Sequence, residues 1–109
     1  MGVALYIAIK DKPDEFDSFM NGKDLARAWD ALNVIAVIID VPTIDKLCSN
    51  AWKNPDKGLP IFQKYLDYIK ENPASVENAN YVIEDLEDVL RLIGEAKKFN
   101  PKWRLCLDY

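Results

Sequence analysis

The chain has 109 residues, of which 50% are hydrophobic and 29% are charged, and this balance predicts one globular domain spanning residues 1–109. It contains no histidine, which excludes Ser-His-Asp and Cys-His catalytic pairs, zinc sites with histidine ligands and imidazole pH switches. The net charge of −4 disfavours nucleic acid as a partner, because an acidic chain does not attract phosphate backbones.

The first element in chain order is a predicted β-strand over residues 3–10, VALYIAIK. Alternation places four apolar side chains on one face: Val3, Leu5, Ile7 and Ile9. The other face is only half polar and consists of Ala4, Tyr6, Ala8 and Lys10. Residues 11–20 are charged and include Pro13, which predicts a loop. Two aromatic side chains would pin this loop to the core: Phe16 and Phe19.

Residues 21–39 are predicted to form one helix. Asn21 would cap its start, with Asp24 at the third helical position of a capping box. The apolar positions recur at helical spacing: Leu25, Ala28, Trp29, Leu32, Ile35, Ala36 and Ile39.

The end of this stretch, residues 34–41, reads VIAVIIDV and also suits a buried strand, because β-branched residues dominate it. We favour a helix to about residue 39, since a change to strand needs a turn and only Asn33 offers one. Pro42 then ends the element. Thr43 is predicted to cap a short helical turn that contains Ile44 and Leu47.

Residues 49–58, SNAWKNPDKG, have the composition of a surface loop. Pro60 suits the first turn of the helix that follows, and Asn72-Pro73 would end that helix. The apolar stripe of this helix is Phe62, Tyr65, Leu66 and Ile69.

The longest helix is predicted to start after a capping Asn78 and to run to about Phe99. Its apolar stripe is Val82, Leu86, Val89, Ile93 and Ala96. The chain ends in WRLCLDY, a second predicted strand in which Trp103, Leu105, Leu107 and Tyr109 share one face. We expect Trp103 to pack under the last helix.

These elements predict an α+β fold, in which the two terminal strands pair in a small sheet packed against three to four helices. A two-stranded sheet is marginal on its own, so the odd-numbered strand faces should lie against the helices. The sequence leaves open whether the two strands run parallel or antiparallel.

Several segments together resemble a group of proteins: the opening MGVALYI, NGKDLARAWDAL at residues 21–32, VIEDLE at 82–87 and a closing strand ending in DY. The chain is similar here to short uncharacterised bacterial proteins that open with MGVALYI and end in a strand. The resemblance covers most of the chain. It implies a bacterial cytoplasmic single-domain protein and implies no activity.

Acidic residues dominate the last helix, where Glu84 and Asp88 lie one turn apart. A Mg²⁺ or Ca²⁺ site would need more oxygen ligands, such as those of Asp14, Glu15 or Asp17. We predict a solvated helix face without a metal site, with Glu87 and Arg91 forming a favourable i, i+4 pair. The sequence indicates no cofactor, since glycine-rich phosphate motifs are missing from it.

The two cysteines, Cys48 and Cys106, are far apart in sequence and belong to no CxxC motif, so we predict two reduced packing residues.

A basic segment follows the acidic helix: Lys97, Lys98, Lys102 and Arg104. These positive charges complement the negative C-terminal end of the helix dipole. We favour this explanation of the basic segment over nucleic-acid binding.

Three aromatic residues are the candidates for contact with a partner or ligand: Trp52, Tyr68 and Tyr6. Trp52 lies in a polar loop, where it either anchors a partner or pins the loop to its own domain. Tyr68 flanks an apolar helix stripe, and Tyr6 lies on the less polar face of the first strand.

We predict a small interaction or regulatory domain without a catalytic signature, one that self-associates through its sheet edges or outer sheet face. The alternatives are a carboxylate-based metal-dependent enzyme and a small-ligand-binding domain. Without a signal-like or membrane-spanning segment, a cytoplasmic location and no membrane contact are expected. Stability should be nearly flat from about pH 6 to 8, because ordinary carboxyl groups titrate near 4 and lysines near 10.4.

Overall fold

A computed structural model describes residues 4–10, 20–48, 51–96, 98 and 102–108. Within them the chain forms five α-helices and two β-strands, and the α+β fold is confirmed. The elements in chain order are β1 (Ala4–Ile9), α1 (Lys23–Arg27), α2 (Trp29–Ile39), α3 (Ile44–Leu47), α4 (Pro55–Glu71), a 3₁₀ turn (Pro73–Ser75), α5 (Ala79–Ala96) and β2 (Trp103–Asp108). The predicted loop anchors Phe16 and Phe19 lie outside the described residues.

The two terminal strands pair antiparallel, which settles the orientation that the sequence left open. Leu5 lies opposite Leu107, and Ile7 lies opposite Leu105. The described part of the odd-numbered face is turned to the helices as predicted, since Leu5, Ile7, Trp103 and Leu105 are buried and Ile9 and Leu107 are half-buried. Val3 and Tyr109 lie outside the described residues.

Both outer edges of the sheet are partly occupied by backbone from elsewhere in the chain. On the β1 edge, the Leu5 N–H donates to the Gly22 carbonyl over 3.2 Å. On the β2 edge, Lys53 and Trp103 exchange two backbone hydrogen bonds of 2.8 Å. Glycine is required on the β1 edge, because a Cβ atom at Gly22 would collide with the Leu5 carbonyl oxygen.

The predicted helix over residues 21–39 is divided at Ala28 into α1 and α2. Its C-terminal part is helical to Ile39, so the helix interpretation of this ambiguous segment is confirmed. The predicted capping role of Asn21 is wrong: Gly22 occupies the N-cap position, and no side-chain cap hydrogen bond is made from it. The carboxylate of Asp85, 60 residues further along, accepts the Leu25 N–H instead.

The short α3 begins as predicted, with Thr43 Oγ1 accepting the Lys46 N–H over 3.4 Å. Helix α4, however, begins at Pro55 rather than near Pro60. The reason is that Asn54 already has the extended backbone of an N-cap, so Pro55 takes the first helical position. Pro60 therefore lies inside α4, where it is exposed and removes one helical hydrogen bond.

The core lies mainly between α4, α5 and the inner face of the sheet. The predicted stripe of α4 is confirmed, because Phe62, Tyr65, Leu66 and Ile69 are all buried. In the α5 stripe, Val82, Leu86, Val89 and Ile93 are buried as predicted, and the side chain of Ala96 lies outside the described part of the chain. The carbonyl oxygen of Asn78 accepts the N–H groups of Tyr81 and Val82, so Asn78 occupies the capping position as predicted. The predicted end of this helix at Phe99 lies outside the described residues.

Trp103 is completely buried, and its ring contacts α4; its predicted packing under the last helix stays a prediction. Its ring packs edge-on against Phe62 at 5.5 Å between centroids. Its Nε1–H donates to the Asn54 carbonyl over 2.9 Å. This tryptophan therefore joins β2 to the start of α4.

Candidate functional site

Helix α2 carries an exposed apolar surface, which we name the α2 stripe and define as Val34, Val37 and Ile38. These residues are 61%, 79% and 59% exposed. They share one face because they follow i, i+3 and i+4 spacing. The opposite face of α2 is buried in the core through Leu32, Ile35 and Ala36. Helix α2 is thus apolar on both sides, and one of those sides faces solvent.

The orientation of α2 is fixed by polar contacts with α3. Asp45 accepts hydrogen bonds from Trp29 Nε1 over 2.8 Å and from Asn33 Nδ2 over 3.1 Å. Asn33 Oδ1 in turn accepts the Ile44 N–H over 2.9 Å. Trp29, one of the apolar positions at helical spacing, is half-buried and packs against the core while making this contact. These bonds hold the α2 stripe outward.

Both ends of α2 carry charged side chains, and acidic residues are in excess at each end. At the N-terminal end, Arg27 and Asp30 are exposed, and Arg27 lies 3.9 Å from Asp24. At the C-terminal end, Asp40 is exposed and has a left-handed backbone with φ 57°. An acidic side chain at this end is unfavourable for an isolated helix, because the C-terminal carbonyls already carry partial negative charge.

A groove of about 430 Å³ lies beside the N-terminal end of α2. Its ionisable lining consists of Asp24, Arg27, Asp30 and Glu77. Three carboxylates against one guanidinium make this groove unfavourable for a phosphate-bearing ligand.

Asp85 differs from the other acids of α5, because its residue is only 7% exposed. Its Oδ2 accepts the Leu25 N–H over 3.0 Å at the start of α1. Burial raises the pKa of this carboxyl group to about 6; the nearby Asp24 and Asp88 also raise it, and the backbone hydrogen bonds oppose the rise. The prediction of a uniformly solvated acidic face is therefore wrong at this position.

The remaining acids of α5 take part in surface pairs. Arg91 lies 3.4 Å from Asp88 and 3.8 Å from Glu95, whereas Glu87 lies 3.9 Å from Lys70. The predicted Glu87–Arg91 pair is thus replaced by other partners. Among the described residues, no three acidic or cysteine side chains come together as a metal site. The loop acids Asp14, Glu15 and Asp17 lie outside the described residues.

Both cysteines are free and half-buried. Burial raises the pKa of the Cys48 thiol to about 11, and neighbouring Cys106 and Asp45 add to this rise. Burial also lowers the pKa of Lys53, whose Nζ donates to the Leu47 and Ala51 carbonyls. Cys48 is therefore a neutral thiol at physiological pH, not an activated nucleophile.

The three aromatic candidates do not form one site. The Trp52 ring lies 4.7 Å from the guanidinium carbon of Arg104 on β2, so this side chain contacts its own domain. Tyr6 is 38% exposed and lies opposite Cys106 in the sheet register. Tyr68 is half-buried near the far end of α4 from Trp52 and packs against the core. Their predicted contact with a partner remains a prediction.

The α2 stripe was not predicted from the sequence. The available signal was the apolar run at residues 34–39, which on a helix covers all sides and not only the buried one. Such a helix needs either burial on every side or a partner for its outer side.

No helix in the described ranges is long and apolar enough to cross a bilayer. We found no match to the chain among protein family models, curated proteins or solved structures.

Proposed function

We propose that this protein is a non-catalytic interaction domain whose partner is a second copy of the same chain, with contact through the α2 stripe. The observation that carries the proposal is the exposure of Val34, Val37 and Ile38, three neighbouring branched side chains on one helix face. Contiguous apolar surface of this kind is typical of interaction sites. We also propose the cytoplasmic location predicted from the sequence.

A second copy suits the stripe because an apolar helix face is complementary to itself. A twofold axis through the stripe would bury the same three side chains on both copies and form a closed dimer. Removal of this apolar surface from water supplies the favourable free energy.

The size of the stripe sets the expected affinity. A helix of 11 residues is about 16 Å long. A standard stable interface buries about 800 Å² on each partner, which exceeds what one such stripe offers. We therefore expect a weak dimer that dissociates in the micromolar range.

Two features favour α2 over the sheet as the contact. Gly22 and Lys53 already occupy part of each sheet edge by backbone hydrogen bonds. Trp52 lies over Arg104, which is a neighbour of Tyr6 and Cys106 in the sheet. The sequence predicted a dimer formed through the sheet. The experiment therefore has to distinguish that dimer from one formed through α2.

Light scattering over a concentration series tests the proposal. The unmodified protein should approach twice the 12.5 kDa chain mass as its concentration rises. Val37→Lys should remain monomeric, because it places a charge in the centre of the stripe at a site that costs no core packing. Gln63→Lys adds the same charge to an exposed position of α4 and should dimerise normally.

Two results would contradict the α2 contact. The first is a single species of chain mass at every concentration. The second is a dimer that survives Val37→Lys but is lost in Tyr6→Lys or Ala8→Pro, which would place the contact on the sheet.

A further inference from the structure

We infer that one end of the outer sheet face binds a small phosphate-bearing molecule, whose phosphate group is held by Lys10, Lys102 and Arg104. These residues lie on other elements than the α2 stripe, so the inference does not depend on self-association. It goes beyond the proposed function, because it gives the domain a ligand as well as a partner.

Three positively charged residues lie together at this end of the sheet. Ile9 is paired with Trp103, and the Lys10 N–H donates to the Lys102 carbonyl over 2.9 Å, so the ladder continues by one pair beyond the strands. Side chains alternate along a strand, which places Lys10, Lys102 and Arg104 on the even-numbered outer face. Arg104 is two residues, or about 7 Å, from Lys102. The three side chains are therefore within reach of one bound group.

None of these three cations has an acidic partner among the described residues. The ion pairs of this part of the chain lie on α1, α4 and α5. Lys10 and Lys102 also lie directly opposite each other, and like charges in that position repel. Asp108 of β2 is paired with Ala4 at the other end of the sheet, about 13 Å along the strand from Arg104. A bound anion would relieve this repulsion.

The Arg104 guanidinium is held in place while its hydrogen-bond donors stay available. Its central carbon lies 4.7 Å from the centre of the Trp52 ring. Its Nε is buried and makes no hydrogen bond in the described ranges, and the same is true of its two Nη groups. A planar guanidinium fixed in this way presents its Nη groups as a fork that matches two phosphate oxygens. Ala8 lies opposite Arg104, and its small side chain leaves room for a ligand.

The charge and size of this surface indicate the class of ligand. Three cations within about 10 Å of one another suit a dianionic phosphate group better than a carboxylate, which has a single charge. A polyanion such as RNA would extend beyond these residues and meet the net charge of −4 of the whole chain, which opposes its association. The observations therefore favour a small phosphorylated molecule over nucleic acid.

Calorimetric titration of the full chain with inorganic pyrophosphate, at constant ionic strength, tests the site. One molecule should bind per chain, with a dissociation constant of about 1 mM or lower. Arg104→Gln should weaken binding by about ten-fold or more, because charge-assisted hydrogen bonds are lost. Arg91→Gln removes the same charge from an exposed position of α5 and should bind pyrophosphate normally.

A second pair of variants does not depend on how Arg104→Gln folds. Lys102→Gln changes an exposed residue, and Lys64→Gln removes the same charge from an exposed position of α4. Lys102→Gln should weaken binding by about two- to five-fold, as expected for an exposed charge pair, whereas Lys64→Gln should leave the affinity unchanged. Arg104→Lys keeps the charge without the planar fork, so it should recover only part of the affinity that Arg104→Gln loses.

Two results would overturn the site itself. The first is the absence of saturable pyrophosphate binding, and the second is binding that neither Arg104→Gln nor Lys102→Gln weakens. A third result would overturn the choice of a small molecule. It is tighter binding to single-stranded RNA, or to phosphatidylcholine vesicles that contain phosphatidic acid, than to pyrophosphate, if Arg104→Gln abolishes that tighter binding.

Discussion

The Asp85 side chain lies in a different environment from the acidic residues that surround it in the sequence. The other acids of α5 are exposed or half-buried, yet the Asp85 carboxylate is buried where it accepts the Leu25 N–H. It thereby provides the N-terminal hydrogen bond that α1 does not obtain from its own N-cap residue. Desolvation outweighs these hydrogen bonds and raises the pKa of Asp85 to about 6.

The raised pKa changes the expected pH dependence. The folded state holds the Asp85 proton more tightly than the unfolded chain does, so this residue's contribution to stability is largest below about pH 4 and is lost as the pH rises through 6. The stability of the unmodified protein relative to that of Asp85→Asn should therefore fall by about 2 kcal/mol between pH 4 and pH 6. It should then stay constant above pH 7. Urea melts across this range measure the difference.

Glu84→Gln is the control, because it removes one charge from an exposed position of the same helix. A difference curve for Asp85→Asn that rises with pH, or that is flat from pH 4 to 7, would contradict the role of burial. The missing histidine predicted nearly flat stability between about pH 6 and 8. Because the pKa of Asp85 is raised to about 6, folding stability should still change with pH at the lower end of that window.

At the scale of elements, the contact between α4 and β2 depends on one glycine. A Cβ atom at Gly58 would lie 2.9 Å from Nε1 of Trp103 and closer still to two carbons of its ring. The ring cannot move away easily, because it is fully buried against Phe62 and hydrogen-bonded to Asn54. Gly58 therefore allows helix and strand to approach closely.

Gly58→Ala should destabilise the protein by about 1–3 kcal/mol, because it overpacks this contact despite the better helix propensity of alanine. Gly94→Ala is the matched control: Gly94 also lies in a helix, and a Cβ atom there would meet nothing within 4 Å. It should stabilise the protein by about 0.5–1 kcal/mol. Urea melts measure both, and equal effects of the two substitutions would show that Trp103 yields to the added methyl group.

The elements also show what local sequence rules can predict. Apolar periodicity identified the buried faces of α4 and α5, because that pattern results directly from one-sided burial. The first residues of the helices were harder to predict, since Pro55 and Pro60 both satisfy the preference for proline in a first turn. The start of α1 was not predictable locally, because its hydrogen-bond acceptor Asp85 comes from another helix.

For the whole molecule, the sequence predicted the pairing and buried face of the terminal strands but not the exposed surface of α2. The two results differ because apolar and polar residues alternate in the strands, and this alternation indicates which face is buried. Residues 34–39 are uniformly apolar, so their pattern does not indicate which helix face is buried. Only the tertiary contacts decide which apolar side chains remain uncovered. Here the Asp45 contacts with Trp29 and Asn33 turn Val37 outward.

Thermal stability should report the same self-association that light scattering measures. A dimer that forms only from folded chains is stabilised by mass action, so its melting temperature rises with protein concentration. About 1 kcal/mol of added stability shifts the melting temperature of a domain of roughly this size by about 4–8 °C. The unmodified protein and Gln63→Lys should therefore melt several degrees higher at concentrations well above the dissociation constant than far below it. Val37→Lys should melt at one temperature throughout, and a concentration dependence retained by this variant would place the contact away from α2.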